Sequence, residues 1–142
     1  IARRLVILAS EDVGNANPQA LTLTTSTLTS VSKIGYPEAK IILAQAVIYL
    51  CASPKSNSAY MAINEALNAV KNGLVLEIPP YLQQTKTTLS DDESPYLYPH
   101  DFGGYVKQEY LSQPVKFVEL KSIGYERKMK EWLDSLKRFN IE

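Results

Sequence analysis

The most suggestive place for chemistry in this sequence is the run Tyr98-Pro99-His100-Asp101, which carries the only histidine. A histidine beside a carboxylate can act as a general base. No nucleophile can be placed beside His100 from the sequence, however, and the proline before it and the two glycines that follow indicate a structured turn. We therefore favour a turn in which His100 and Asp101 hydrogen-bond the backbone. A small hydrolase centred on these two residues is the less favoured alternative.

Two neighbouring carboxylates, Glu11 and Asp12, form a second candidate, since paired acids can share proton transfer or bind a metal. They stand near the predicted end of a helix, where acidic side chains more often cap free amides or pair with a base such as Arg3 or Arg4. We favour these structural roles. The alternative for Arg3 and Arg4 is that they pass signals from a module outside this chain.

The run Pro54-Lys55-Ser56-Asn57 combines a cation with two hydrogen-bonding side chains at the predicted start of a helix. The free amides of a helix N-terminus can hold a phosphate, and a nearby lysine adds positive charge. Ser56 and Asn57 are also ordinary capping residues. Capping is the favoured interpretation, and a contact with an anion or a DNA phosphate is the alternative.

Five aromatic residues lie close together between positions 96 and 110 and could stack unpaired bases. Stacking sites usually alternate with Lys or Arg, and Lys107 is the only such residue in this run. We therefore expect these rings to pack a loop-rich lobe against the helices, with base stacking as the alternative. The five are Tyr96, Tyr98, Phe102, Tyr105 and Tyr110.

The residues that bind and hydrolyse nucleotides are missing from this sequence. No glycine is followed by the Lys and Ser/Thr spacing of a phosphate-binding loop, and no acidic residue convincingly ends an apolar strand to coordinate magnesium. We therefore predict no catalytic residue, no cofactor site and no metal site. The chain is not expected to be an enzyme by itself.

Composition narrows the class of protein further. The 142 residues include 15 basic and 15 acidic side chains, so no overall positive field favours nucleic acid. The single cysteine, Cys51, excludes an internal disulfide and a multi-cysteine zinc site, and we expect a buried thiol. No apolar run is long enough to cross a membrane. The start lacks a secretory signal and an initiator Met, which suggests a piece of a longer protein.

Hydrophobic spacing predicts the helices that would position these residues. The run from Leu21 to Thr25 alternates like a strand, but Asn17-Pro18 before it and Gly35 after it favour a helix with a cap. The next helix is apolar around most of its circumference, which is typical of burial in a core or in a subunit contact. Short loops predict that neighbouring helices pack antiparallel. The predicted helices cover about residues 1–12, 18–34, 37–52, 56–72 and 125–139.

Gly73 is expected to end the fourth helix, whose apolar face we expect to point inward. After Gly73 the sequence no longer shows helical hydrophobic spacing. Residues 74–78 suit a short extended segment, and the polar, acidic residues 83–95 suit an exposed loop. The last helix has an apolar stripe and, on its other side, a face rich in Lys and Arg. Acidic residues reduce the net charge of this basic face, which we expect to be solvated. The stripe is Met129, Trp132, Leu133 and Leu136, and the basic residues are Lys128, Lys130, Lys137 and Arg138.

Three stretches, in this order and spacing, resemble the RarA/MgsA family of AAA+ ATPases, whose eukaryotic member is the Werner-helicase-interacting ATPase. They cover most of residues 2–111 and include Ala9-Ser10-Glu11-Asp12-Val13-Gly14, then Gly35-Tyr36-Pro37-Glu38-Ala39 and Pro54-Lys55-Ser56-Asn57, then Tyr98-Pro99-His100-Asp101 with Gly103-Gly104. The resemblance implies structural roles for Glu11, Asp12, Pro54, Tyr98, Pro99, His100, Asp101 and Gly104. Between Pro80 and Tyr96 an acidic run stands where the family has a basic, glycine-rich stretch, so a DNA contact through that loop is not implied here.

The helices and the resemblance together predict a mainly α fold, an antiparallel helical bundle related to clamp-loader collar domains, with a loop-rich C-terminal lobe and a final helix. The resemblance implies a single C-terminal oligomerisation domain over residues 1–142, with a helical core at about 1–73, the lobe at about 74–120 and the final helix at about 124–139. It also implies a homotetramer. The longer protein would carry a AAA+ module that uses ATP and Mg.

The resemblance further implies that the longer protein is a DNA-dependent ATPase of the bacterial cytoplasm, associated with the nucleoid and not with a membrane. It would act at replication forks, in recombination and in repair, alongside DNA and single-strand-binding protein. For the chain itself, the favoured function is assembly of the ATPase. The alternative is a nucleic-acid-binding module that contacts single-strand/duplex DNA through Lys55, Lys107 and the basic last helix.

Overall fold

The structure is a computed structural model that describes residues 1–82 and 96–138. It confirms the mainly α class, since no strand occurs in those two ranges. The acidic loop predicted at 83–95 and the last residue of the predicted final helix lie outside the described residues. None of the helices is long and apolar enough to span a membrane, among the residues described. The helices are α1 (Ala2–Leu8), α2 (Gln19–Ile34), α3 (Ala39–Ala52), α4 (Ser58–Lys71) and α5 (Gly124–Arg138).

A short irregular segment joins α1 to α2. After α1 the chain makes a π-helical turn at Ala9–Val13 and a 3-10 turn at Gly14–Ala16. The predicted stop at Gly14 is confirmed, because its φ of +51° is a conformation that favours glycine. A Cβ atom at Gly14 would also lie 2.5 Å from the carbonyl oxygen of Ser56. Glycine is therefore required here both for the turn and for the close approach of the loop that precedes α4.

The segment with mixed strand and helix signals forms α2, as predicted. Two of its threonines, Thr24 and Thr27, are buried, and the Thr24 hydroxyl donates to the carbonyl oxygen of Ala20 at 2.8 Å. This bond satisfies a buried hydroxyl inside the helix, so the β-branched run does not need a sheet. The predicted side-chain cap at Asn17 is wrong: its amide instead donates to the Tyr49 hydroxyl at 2.9 Å and the Ser53 hydroxyl at 3.0 Å.

Helices α1, α2 and α3 pack together around a small core. Helix α3 buries one stripe along its length, formed by Ala39, Leu43, Ala46 and Leu50. Because half of these residues are alanine, the backbones of α2 and α3 can approach closely. The core beside this stripe is formed by Ala9, Val13 and Ala20, with Leu5, Leu8 and Tyr49 packed around it.

Helix α4 departs from the predicted antiparallel arrangement. It packs mainly against residues 9–16 rather than along α3. The apolar face that was expected to point inward is consequently left uncovered: Ile63 is 55% exposed and Val70 is 64% exposed. Gly73 ends the helix as predicted, with φ +90°, and the following Leu74 N–H donates to the carbonyl oxygen of Ala69 at 2.9 Å.

The part of the chain between α4 and α5 is built from turns and extended segments. Glu77 and Ser112 exchange two hydrogen bonds of 3.1 and 3.2 Å that hold two of these segments together. A 3-10 turn at Pro99–Phe102 ends at Gly103, whose φ is +74°. The N-terminus of α5 then packs against the 3-10 turn at Gly14–Ala16.

Candidate functional site

The run Tyr98-Pro99-His100-Asp101 forms a turn, as favoured from the sequence, but through its backbone. The Asp101 N–H donates to the carbonyl oxygen of Tyr98 at 3.0 Å, and the His100 ring lies 5.0 Å from the Tyr98 ring. The side chains of His100 and Asp101 are exposed, and the structure gives neither a hydrogen bond to the backbone in the described ranges. An exposed imidazole with no fixed partner has no machinery for orienting a substrate.

The paired acids Glu11 and Asp12 lie on the π-helical turn, with Glu11 partly buried and Asp12 exposed. Neither forms the expected ion pair with Arg3 or Arg4 within the part of the chain that the structure describes. The same residues contain no cluster of three metal-ligating side chains. This turn is nevertheless central to the fold, because α1, α2 and α4 all contact it.

The run at the start of α4 is occupied by contacts within the chain. The Lys55 ammonium donates to the carbonyl oxygen of Leu50 at 2.7 Å and to that of Ser53, so it caps the end of α3. The Ser56 hydroxyl accepts from the Ser58 N–H at 3.3 Å and so satisfies one free amide of α4, whereas the N-cap residue Asn57 forms no side-chain cap. Asn57 Oδ1 accepts from the Lys121 ammonium at 2.5 Å. The polar groups that could have faced a phosphate are therefore already engaged.

A buried acid that sequence reasoning missed, Glu126, lies at the same place. It is 0% exposed, and its Oε1 accepts from the backbone N–H of Lys121 at 2.8 Å. Its Oε2 and the Ser58 hydroxyl oxygen are both buried, and neither forms a hydrogen bond of regular geometry among the described residues, although the Ser56 and Ser58 hydroxyls are near enough to stabilise the charge of the carboxylate. A carboxylate of the chain itself thus lies beside the start of α4, where an external anion would otherwise bind. The only hint in the sequence is the glycine two positions before Glu126.

The environment of Glu126 favours its charged form. Desolvation alone would raise the pKa of this carboxyl, but the Ser56 hydroxyl, the Lys121 backbone N–H, the Ser58 hydroxyl and the Lys121 charge together outweigh it. The pKa of Glu126 is therefore lowered from its ordinary value. An ionised carboxylate holds the start of α5 against the start of α4.

Close backbone contact reinforces this junction. Gly124 has φ +53°, and a Cβ atom there would lie 2.2 Å from the carbonyl oxygen of Ala16 and 2.9 Å from Cγ of Pro54. Together with Gly14, it lets three segments meet with no side chain between them. The junction of residues 14–16, 54–58 and 121–126 is thus structural, and it fixes α4 and α5 on the helical core.

The aromatic residues between 96 and 110 are only partly packed. All five rings are exposed. Phe102, Tyr105 and Lys107 line an open groove with Trp132 and Leu136 of α5, so the lobe does meet the apolar stripe of the last helix. The five rings stay at the surface, where packing against the helices was expected, and Phe102 and Tyr105 only border this groove.

Helix α3 carries an exposed apolar face in addition to its buried one. The face opposite its buried stripe carries Ile41, which is 65% exposed, and Ile48, which is 68% exposed, together with exposed Ala44 and Cys51. The prediction of a buried Cys51 thiol is wrong, because Cys51 lies on this outward face rather than beside Leu50. A helix that is apolar on both faces but covered on one is typical of a protein contact surface.

A second uncovered apolar surface runs along α4. From its middle to its C-terminal end the helix exposes Ile63, Leu67 and Val70. Its N-terminal half forms a mostly apolar cleft with α1, lined by Val6, Ile7, Tyr60 and Ile63 among others. Two separate helices thus present apolar faces that residues 1–82 and 96–138 do not bury.

Comparison with known proteins identifies the family. The family described as MgsA AAA+ ATPase C terminal matches residues 1–137. The replication-associated recombination protein A of Bacillus subtilis is 40% identical over 144 residues, which cover 96% of this chain and 34% of the relative. The protein of the same name from Coxiella burnetii is 36% identical over 148 residues, covering 99% of this chain and 34% of the relative.

A eukaryotic relative, the ATPase WRNIP1 of Dictyostelium discoideum, is 33% identical over 132 residues, covering 85% of this chain and 15% of that protein. The chain spans about a third of the length of the two bacterial relatives. The resemblance seen in the three sequence stretches is therefore confirmed over nearly the whole chain. This chain belongs to the MgsA AAA+ ATPase C-terminal family.

Proposed function

We propose that this chain is the assembly domain of a AAA+ ATPase of the RarA/MgsA type and that it brings the ATPase into a homotetramer. The observation that carries the proposal is the uncovered apolar surface on α3 and α4. Exposed Ile41, Ile48, Ile63 and Val70 lie on two helices of ordinary length, in a chain that has no membrane-spanning helix among its described residues. Burying such surface between copies would favour association by about 25 cal/mol for each Å² of apolar area removed from water.

Assembly would act on the ATPase indirectly. A domain that holds several copies together raises the local concentration of the attached modules and fixes their relative orientation. ATP and Mg would be used by those modules, since this chain has no phosphate-binding loop. The closely packed junction around Glu126 supports this role, because its hydrogen bonds and backbone contacts join the starts of α4 and α5 to the helical core.

The biological setting of the proposal comes from the relatives. Two of them are named replication-associated recombination protein A. We infer that the longer protein is a DNA-dependent ATPase of the bacterial cytoplasm that acts at replication forks, in recombination and in repair, with DNA and single-strand-binding protein as partners. Direct DNA contact by this chain is not part of the proposal, because Lys55 is engaged with the end of α3.

Light scattering tests the proposal directly. We expect the chain to have a multimeric mass that stays constant over a wide range of concentration. The substitution Ile48→Lys places a charge on the uncovered face of α3 and should lower the mass, whereas Thr22→Lys adds the same charge on the exposed side of α2 and should leave it unchanged. A chain that stays monomeric at high concentration would refute the assembly function.

A further inference from the structure

We propose that two copies of this chain pair through the outward faces of their α3 helices, antiparallel about a two-fold axis. In this arrangement Ile41 of each copy packs against Cys51 of the other, and Ala44 packs against Ile48. The inference rests on the assembly function proposed above and adds to it the contact surface, the direction of the helices and their register. The partner is a second copy of this chain.

The four residues of this contact lie on one face of α3. Ile41, Ala44, Ile48 and Cys51 recur at spacings of three, four and three residues, which place them on one face of a helix. All four are exposed, and they lie opposite the stripe that contains Leu43 and Leu50. They form a narrow apolar seam of the kind that lets one helix pack along another.

This apolar seam is also self-complementary. Its spacing reads the same in both directions along the helix, so an antiparallel copy meets it residue for residue. In a two-fold contact, if one residue touches another across the axis, the reverse contact also exists. The axis passes at the level of Ala46, and each large side chain then faces a small one: Ile48 faces Ala44 and Ile41 faces Cys51.

A parallel pair would not fit in this way. It would place Ile48 against Ile48 and Ala44 against Ala44, crowding one level of the contact and leaving a void at another. Both overpacking and cavities destabilise a contact. Alternation of large and small residues therefore selects the antiparallel direction.

Charge selects the same direction. Lys40 is the only charged side chain within α3, and it is exposed at the N-terminal end. In a parallel pair two lysines would lie side by side. In the antiparallel pair the two Lys40 side chains lie at opposite ends of the contact, so they do not repel each other. Glu38, just before α3 of one copy, then lies near Lys55, just after α3 of the other copy.

The size of the seam fits one contact of a larger assembly. A helix of 14 residues is about 21 Å long, so a single helix pair is smaller than a typical stable interface. The α4 face with Ile63 and Val70 remains uncovered after α3 has paired. A tetramer with dihedral symmetry needs a second kind of contact, and the α4 face supplies the surface for it.

Thiol cross-linking tests the register, since Cys51 is the only cysteine of the chain. In the antiparallel pair the two native thiols lie far apart, so the wild-type chain should not cross-link to itself with a short bifunctional thiol reagent. Ile41→Cys should give a covalent dimer for most of the chain, because the new thiol faces Cys51 of the other copy. Thr22→Cys, on the exposed side of α2, is the matched control and should stay uncross-linked.

A second pair of variants protects the test against loss of folding in the first. Chains carrying Ala44→Cys with Cys51→Ser, mixed and reassembled with chains carrying Ile48→Cys with Cys51→Ser, should give mixed dimers more readily than either chain alone. Cross-linking of wild-type Cys51 to itself, or none in either set, would overturn the register. Light scattering on the same samples separates the two proposals: multimers without these cross-links refute only the register, and monomers refute assembly itself.

Discussion

The backbone N–H of Lys121 donates a hydrogen bond to the buried Oε1 of Glu126 at 2.8 Å, which closes the loop before α5 onto the first turn of that helix. The same lysine donates through its ammonium to Asn57, just before α4. Two helices that are far apart in the sequence are thus joined by one acid and one lysine. This arrangement leads to the first two predictions.

Replacing Glu126 with Ala should lower the free energy of unfolding by about 1–3 kcal/mol, because the substitution leaves the Lys121 N–H without its acceptor in a buried place. Urea denaturation measures the loss. The matched control is Glu131→Ala on the same helix, where the side chain is exposed and forms a 3.8 Å ion pair with Arg127. That control should cost no more than about 0.5 kcal/mol. Equal losses in the two variants would contradict a structural role for the buried acid.

Acid should weaken the fold through the same carboxylate. The pKa of Glu126 in the folded chain is lowered from the ordinary value of 4.5, so its contribution to stability is fully present above pH 4.5 and is lost as the pH falls through the folded value. We expect the free energy of unfolding of the wild-type chain to fall over that acidic range. In Glu126→Gln, which does not titrate, this part of the pH dependence should be missing. A variant with the wild-type slope would show that other acids are responsible.

Adding one methyl group at Gly124 should be severely destabilising. The new Cβ would lie 2.2 Å from the carbonyl oxygen of Ala16, and the backbone is in a left-handed conformation that alanine resists. Gly103→Ala is the control: its φ of +74° imposes a similar conformational cost of about 1–2 kcal/mol, but nothing lies within 4 Å of its Cβ. Thermal unfolding should therefore show a clearly larger drop in Tm for Gly124→Ala. Similar drops would mean that the two backbone segments can move apart.

Asn17 offers a test of how the helical core is held together. Its amide bridges the Tyr49 and Ser53 hydroxyls, and so ties the start of α2 to the end of α3. Asn17→Ala should cost about 1–3 kcal/mol of unfolding free energy. Asn68→Ala, at an exposed position of α4, should be nearly neutral. Hydrogen exchange should show faster opening at the α2 start in the first variant, and its absence would refute the tie.

Local signals predicted the helices well. Hydrophobic periodicity and the glycines at positions 14, 35 and 73 placed the helices to within a few residues, because these signals act within one or two turns. The threonine-rich α2 was recognised from its flanking Asn-Pro and glycine, although β-branching favoured a strand. The position and length of a helix depend mainly on residues that are close together in the sequence, so they can be predicted from one sequence.

Contacts between distant segments were not predictable in the same way. Glu126 appears in the sequence among Lys, Arg and other Glu residues on what reads as a solvated helix, and its burial depends on Gly124 and on a loop about 70 positions earlier. Cys51 was expected to be buried because α3 is apolar all round, but periodicity cannot say which apolar face the chain itself covers. The same ambiguity affected Ile63 and Val70, which the sequence placed in the core and the structure leaves exposed.

The eight residues from Ala9 to Ala16 have a consequence for tolerance of insertions. Because α1, α2, α4 and α5 all rest on this stretch, lengthening it by one residue would rotate several helices out of register at once. The turn at Gly103 and Gly104 has open space around both positions and belongs to no helix. A reporter peptide or an affinity tag is therefore better carried there, where it can lengthen the backbone without disturbing any helix that the assembly depends on.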